Sequence, residues 1–344
     1  MNSRMPPSPA PRFDAQLGRR RRWKNLITQA EALPWGFRSR ENQAGSRLFT
    51  GLTGAATFLI LAILLVILGT IAIQGAPGLS LRFVTSGSQL NTFDVDKAGV
   101  LPMIIGTAAR VILMTLFVMP VGVITAIYLS EYAPATAWFT RVIRGAVNNL
   151  AGVPSIVFGL FGLGFFVNFI GHHLDDWFRP GTAGPLWGQP ALVWASLTLA
   201  VMTLPVVIVA TEEALRSALP GLREGSFALG ASKLQTIVKI ILPQALPGII
   251  TGGILAISRA AGEVAPILLT GAASYMASLP GSLTDQFMDL GYHIFTLSTQ
   301  SPNIEKTRPL LFATALVLLV LTFSLNLVAM VLRARLRRSR LAVH

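Results

Sequence analysis

The sequence predicts an all-α polytopic membrane protein with six transmembrane helices. Two observations carry that prediction. Of 344 residues, 52% are hydrophobic and only 12% are charged, whereas a soluble domain carries about 25% charged residues. The apolar residues also gather into six charge-poor runs, at about 53–73, 111–130, 150–170, 192–210, 247–270 and 310–331. Each is close to the roughly 20 residues that an α-helix needs to cross a bilayer.

In chain order, residues 1–46 are polar, proline-containing and basic, and read as a disordered tail. Residues 47–98 hold the first helix and an irregular outer loop with Gly, Pro, Ser and Asp. Residues 99–332 hold the other five helices, with a long connecting segment at 211–246, and residues 333–344 form a second basic tail. The first apolar run begins near residue 50, too far in for a cleavable signal peptide, so it reads as an uncleaved anchor. The second outer loop, 171–189, contains His172, His173, Asp175 and Asp176. No further ligand is fixed by spacing, so this is read as a solvated loop and no metal is expected. The third outer loop, about 271–309, is the longest, and a loop of that length is expected to carry function.

The formal net charge is +13, which by itself would admit a nucleic-acid partner. Its distribution points to membrane orientation instead. Of 28 basic residues, 21 fall in the two tails and in the segments joining spans two to three and four to five; five fall in the other loops. The positive-inside rule then places both termini and the 211–246 segment in the cytoplasm. No nucleic acid is expected, and the RRRR run at 19–22 is suited to anionic lipid headgroups. There are no cysteines, so disulfides and thiol chemistry are excluded. No Walker A pattern, HExxH or GxSxG occurs, and all four histidines lie in loops or the tail. The chain is therefore not expected to be an enzyme, and any energy source must be borrowed.

The segment 224–243 reads EGSFALGASKLQTIVKIILP. Gly230 is suited to a positive φ that ends one short helix and turns into the next. Leu234, Ile237, Val238 and Ile241 recur at helical spacing and give the second helix an apolar face, while Lys233 and Lys239 stay solvated. Such a helix at the mouth of a bundle suits a partner's groove. Glu224, Gly225, Ser226, Gly230, Ile240, Leu242 and Pro243 fall in the register of the "EAA...G.........I.LP" pattern, and the segment resembles the cytoplasmic coupling loop of ABC importer permeases. Gly225 stands where that pattern has alanine. The resemblance implies that Glu224, Gly230 and Pro243 shape the loop, and that Leu229 and Ala231 touch an ATPase.

The fifth run contains SRAAGEVAP, with Arg259 and Glu263 four residues apart and so on one face of a continuous helix. Ionisable groups at membrane depth usually face the bundle interior or a watery path. An arginine fork suits a phosphate oxyanion, yet a neutralised pair that only locks two helices fits the physics equally well. Arg110, in the second span, is suited either to line a path or to snorkel outward. Pro154-Ser155 either simply starts the third helix or exposes backbone to a pore. Gly248 and Gly252 form a GxxxG pattern of close helix packing.

The segments 211–271 and 148–166, with MASLP ahead of a last helix that ends in a basic tail, are similar to the phosphate ABC importer permeases, in particular the PstA-type subunit. The similarity spans roughly residues 50–340. It implies the type I ABC importer permease fold, and a multi-pass protein of the bacterial inner membrane that imports inorganic phosphate. It further implies a heterodimer with a second permease, two copies of a cytoplasmic ATPase, an external phosphate-binding protein met through the third outer loop, and no cofactor. The arginine and glutamate of the R-A-x-G-E stretch, implicated in phosphate movement in that family, match Arg259 and Glu263. Three rival readings stand beside this one: the sister C-type subunit, a permease for another oxyanion, and a membrane scaffold that senses phosphate without transporting it.

Overall fold

The computed structural model describes residues 43–87, 98–134, 136–181, 184–218, 220–276 and 279–341. Most of the predicted 1–46 tail, including its RRRR run, and much of the first outer loop lie outside these residues. Among the described residues the protein is helical, apart from an isolated bridge between Ala272 and Phe287. Six helices are long and apolar enough to cross a membrane.

The chain divides into two compact units at residues 67 and 68. The described part of the first unit is the start of helix α1 (Gln43–Gly75), where Leu52, Phe58, Ile60 and Leu65 are all exposed. A helix apolar on every side suits lipid. The second unit holds the end of α1, the short α2 (Leu81–Thr85), and then α3 (Leu101–Ile127), which continues as a π-helical turn, Tyr128–Tyr132. Next come α4 (Trp138–Leu150), α5 (Ser155–Phe161) with a π-helical continuation Gly162–Gly171, α6 (His172–Phe178), and α7 (Leu192–Arg216). Two short helices, α8 (Pro220–Ala228) and α9 (Lys233–Thr236), lead through a π-helical turn Ile237–Ile241 into α10 (Leu242–Gly262). The last elements are α11 (Ala265–Thr270), α12 (Leu290–Thr299) and α13 (Ile304–Leu341).

Helix α7 is the hub, with α3 and α10 packed most extensively against it. Its buried hydroxyls return to its own backbone: Ser196 donates to Leu192 O, Thr198 to Trp194 O and Thr203 to Leu199 O, at 2.7–2.9 Å. An apolar interior leaves these groups no solvent, so each is satisfied within the helix. Gly248 and Gly252 do mark close packing. A Cβ on either would come within 2.5–2.8 Å of the methyl groups of Ala214 and Ala210 on α7.

Three span boundaries differ from those expected. The second span begins at Leu101, ten residues before the predicted 111, because the helix carries Arg110 buried within it. The third begins at Ser155 with Pro154 as its N-cap, the simple helix start. The fifth is the largest correction. Its helical run starts at Lys233 and stops at Gly262, and Glu263 is extended (φ −79°, ψ 127°). The predicted continuation to 270 is a separate helix, α11, with Pro266 in its first turn, where the missing N–H is harmless.

Candidate functional site

The structure concentrates chemistry at two places in the second unit. The first is the 220–243 loop. Gly230 has φ +80°, the left-handed conformation that ends α8 and allows the turn. Ser232 then caps α9: its Oγ accepts from Gln235 N, and Gln235 Oε1 accepts from Ser232 N (2.9 Å), a reciprocal capping box. The Ser226 and Thr236 hydroxyls meet at 2.8 Å and join α8 to α9. Ile237 and Ile241 are buried at 2% exposure each. By the usual area relation each contributes about 1.5–3 kcal/mol to seating the loop.

The predicted apolar face is therefore split. Ile237 and Ile241 face the bundle, whereas Leu234 and Val238 are exposed, and Leu229 is 90% exposed. Leu229, Gly230, Ala231 and Ile240 line one open groove of about 310 Å³, shared with Ser226, Gln235 and Lys239. Glu224 and Gly225 lie exposed on α8, while Leu242 and Pro243 open α10. The expected need for a small residue at 225 does not arise, since a Cβ there would meet nothing within 4 Å. The buried member of the triplet is Ser226.

The second place is the end of α10. Arg110 is fully buried and paired with Asp289, also fully buried, at 2.9 Å between Nη2 and Oδ2. Its Nη1 donates to Ala260 O (3.0 Å) and Glu263 O (3.3 Å), and its Nη2 to Ala261 O (3.3 Å). The guanidinium thus covers carbonyls that α10 leaves open where it stops, and its charge opposes the negative end of the helix dipole. Asp289 does the converse for α12: its Oδ1 accepts from Gly291 N (2.9 Å) and Tyr292 N (3.2 Å), an N-cap. Thr107, one turn before Arg110, donates to Asp289 Oδ2 at 2.9 Å. The backbone before Asp289 approaches so closely that a Cβ at Gly106 would collide with Met288 O. Arg110 therefore neither lines a path nor snorkels; it ties three helices together.

Arg259 and Glu263 are different. Their pair is loose, 3.7 Å from Nε to Oε1, and the side chains are 41% and 23% exposed. Because α10 ends at Gly262, the two do not share a continuous helical face; Glu263 is the residue after the helix end. The Nη1 and Nη2 of Arg259 meet no partner among the described residues.

Asp289 is the participant that sequence reasoning missed. Its signal was an aspartate directly before an apolar stretch, the usual N-cap pattern, inside what read as an outer loop. That loop in fact contains α12 and the Ala272–Phe287 bridge. In the second outer loop, Asp175 accepts the backbone N–H groups of Leu186, Trp187 and Gly188 at 2.8–3.1 Å. It organises the turn and is not merely solvated. No group of three or more His, Cys, Asp or Glu that could hold a metal occurs among the described residues.

Residues 118–338 match the family described as "binding-protein-dependent transport system inner membrane component". The chain is 35% identical over 224 residues to the probable ABC transporter permease protein YqgI of Bacillus subtilis (strain 168), covering 65% of this chain and 69% of that relative. It is 34% identical over 244 residues to the phosphate transport system permease protein PstA 1 of Mycobacterium tuberculosis (strain ATCC 25618 / H37Rv), covering 71% and 72% respectively. Among solved structures, a chain of a bacterial alginate ABC transporter in complex with an alginate-bound periplasmic protein superposes with TM-score 0.59 at 15% identity, covering 85% of this chain and 96% of that one. At that identity the likeness establishes the fold alone.

Proposed function

Because the chain belongs to the binding-protein-dependent transport system inner membrane component family, and is thus a multi-pass inner-membrane transport component with the type I ABC importer permease fold, we propose that it is the PstA-type subunit of a phosphate importer. In this reading it supplies half of the translocation path, next to a second permease. The 224–243 loop engages one of two cytoplasmic ATPase subunits, and a phosphate-binding protein docks on the outer face. Both termini and the loop are cytoplasmic. ATP binding draws the ATPase subunits together, the loop carries that motion inward, and the helices open alternately to the two sides.

The observation that carries the substrate reading is the half-exposed Arg259, held loosely by Glu263 with its terminal nitrogens free. A guanidinium fork in that state binds a phosphate oxyanion through paired, charge-assisted hydrogen bonds. Glu263 takes the fork back when the anion leaves, so binding stays transient. The similarity to PstA permeases supports the same substrate. The rivals keep their own tests: co-purification with a clear C-type partner separates the two subunit types, competition by sulfate or molybdate separates oxyanions, and unchanged uptake after loss of the chain would indicate a sensing scaffold.

The decisive experiment is radiolabelled phosphate uptake in cells lacking this chain, restored with wild type or with Arg259→Ala. Wild type should restore uptake and the variant should not, although it still assembles with its ATPase. Failure of wild type to restore phosphate uptake would remove the substrate assignment and leave the permease class standing.

A further inference from the structure

The 220–243 loop does not hang free from the bundle. Arg223, one residue before Glu224, grips Glu131 with both terminal nitrogens: Nη2 lies 2.7 Å from Oε1 and Nη1 lies 3.3 Å from Oε2. The Glu131 side chain is 6% exposed. Arg223 Nη2 also donates to Leu215 O at 3.0 Å, near the end of α7. On the other side of Gly230, Lys233 Nζ stands 4.9 Å over the ring centre of Tyr132, within cation–π range. The two loop helices are thus fastened to adjacent residues, Glu131 and Tyr132, of the π-helical turn that ends α3.

At its other end the same helix carries Arg110, which holds the broken end of α10 through three carbonyls and α12 through Asp289. Glu131 and Arg110 are 21 positions apart in one unbroken helical run, Leu101–Tyr132, a length of about 30 Å at 1.5 Å per residue. Three residues of the α10 end separate that clamp from Arg259.

We propose that α3 is the transmission rod of this subunit: the Glu131–Arg223 pair hands the loop's displacement to α3, and the Arg110 clamp delivers it to the α10 end that carries Arg259 and Glu263. This rests on the proposed coupling role of the loop. Glu131 and Arg223 are positioning residues, which touch neither ATP nor the transported anion. A buried bidentate pair suits the task because it fixes angle as well as distance. The first helix and α13 have no comparable charged fastening to the loop among the described residues.

The test uses the complete transporter, with partner permease, ATPase and binding protein, in proteoliposomes. The readouts are radiolabelled phosphate imported per ATP hydrolysed and the stimulation of ATPase by the loaded binding protein. Glu131→Gln keeps the shape and removes the charge. It should lower both ratios by about tenfold, within the usual range for coupling between sites, while basal ATPase and assembly persist. The exchange Glu131→Arg with Arg223→Glu should recover most of the loss. As a measurement independent of charge, Glu131→Cys with Arg223→Cys, in a chain with no native cysteine, should be uncoupled until bridged by a short bifunctional thiol reagent, and coupled afterwards. Unchanged ratios in Glu131→Gln, or a bridge that abolishes transport, would overturn the rod. Gly230→Pro serves as the reference arm. If it stays coupled, the loop assignment itself fails; if it uncouples while Glu131→Gln does not, only the rod fails. Should wild type import no phosphate, the substrate assignment falls and the rod is judged from binding-protein-stimulated ATPase.

Discussion

Arg110 and Asp289 meet at 2.9 Å with neither side chain exposed to any degree, although 179 residues separate them in the chain. Each caps a helix that ends in the interior: Arg110 the C-terminal end of α10, Asp289 the N-terminal end of α12. Removing one partner leaves a lone charge in the core. Arg110→Met or Asp289→Leu alone should therefore cost about 3–5 kcal/mol, and the double variant less than the sum of the two. Thermal unfolding of the solubilised protein reads this directly. Additive losses would mean that the two residues act separately.

Gly230 and Gly225 should respond in opposite ways. Proline at 230 cannot reach φ +80°, because its ring fixes φ near −65°, so Gly230→Pro should leave ATP hydrolysis running without uptake. Alanine at 225 meets open space inside a helix and should stabilise by about 0.5–1 kcal/mol. Uptake in that variant should stay within about twofold of wild type, as for surface changes away from special features. Normal coupled uptake in Gly230→Pro would sink the loop assignment.

Arg259→Lys separates charge from geometry. Lysine keeps the positive charge and loses the planar fork. If paired hydrogen bonds hold phosphate, uptake should fall by about tenfold or more, the worth of a charge-assisted hydrogen bond, with normal assembly, since Arg259 is 41% exposed and carries little packing. Full activity in Arg259→Lys would reduce its part to a point charge.

His293 on α12 predicts an acid-sensitive step. Burial pushes its pKa down from 6.5 to about 4. In the folded protein it stays neutral while the unfolded chain takes up a proton below pH 6.5. Stability should therefore fall as pH drops from 6.5 toward 4, by a limit of about 1.4 kcal/mol per pH unit, and level off below. His293→Phe should flatten that slope in a melting-temperature series across pH.

The six spans and the loop register were legible because lipid and chain geometry act on runs of 20 residues, which hydropathy reads well. The break at Glu263 was not, although its signals were present. Gly262, Glu263 and Pro266 stand within an apolar run, and in such a run the composition on either side masks a helix end. The clamp was half legible. Arg110 at membrane depth demanded a partner, but the carboxylate that answers it lies far along the chain, and only the folded topology selects Asp289 over the other acidic residues. Glu131–Arg223 was invisible for the same reason, since each residue alone looks like an ordinary charge at the membrane surface.

The stop in α10 also sets a condition on any descendant of this chain. Open backbone at membrane depth persists only where protein covers it, and here the cover over Ala260, Ala261 and Glu263 is a single guanidinium. A lineage that restored an unbroken fifth helix would have no carbonyls for Arg110 and would be free to lose both it and Asp289. A lineage that keeps the break must keep the pair. Arg110, Asp289 and the interruption at 263 should therefore be inherited together or lost together, whatever solute the transporter carries.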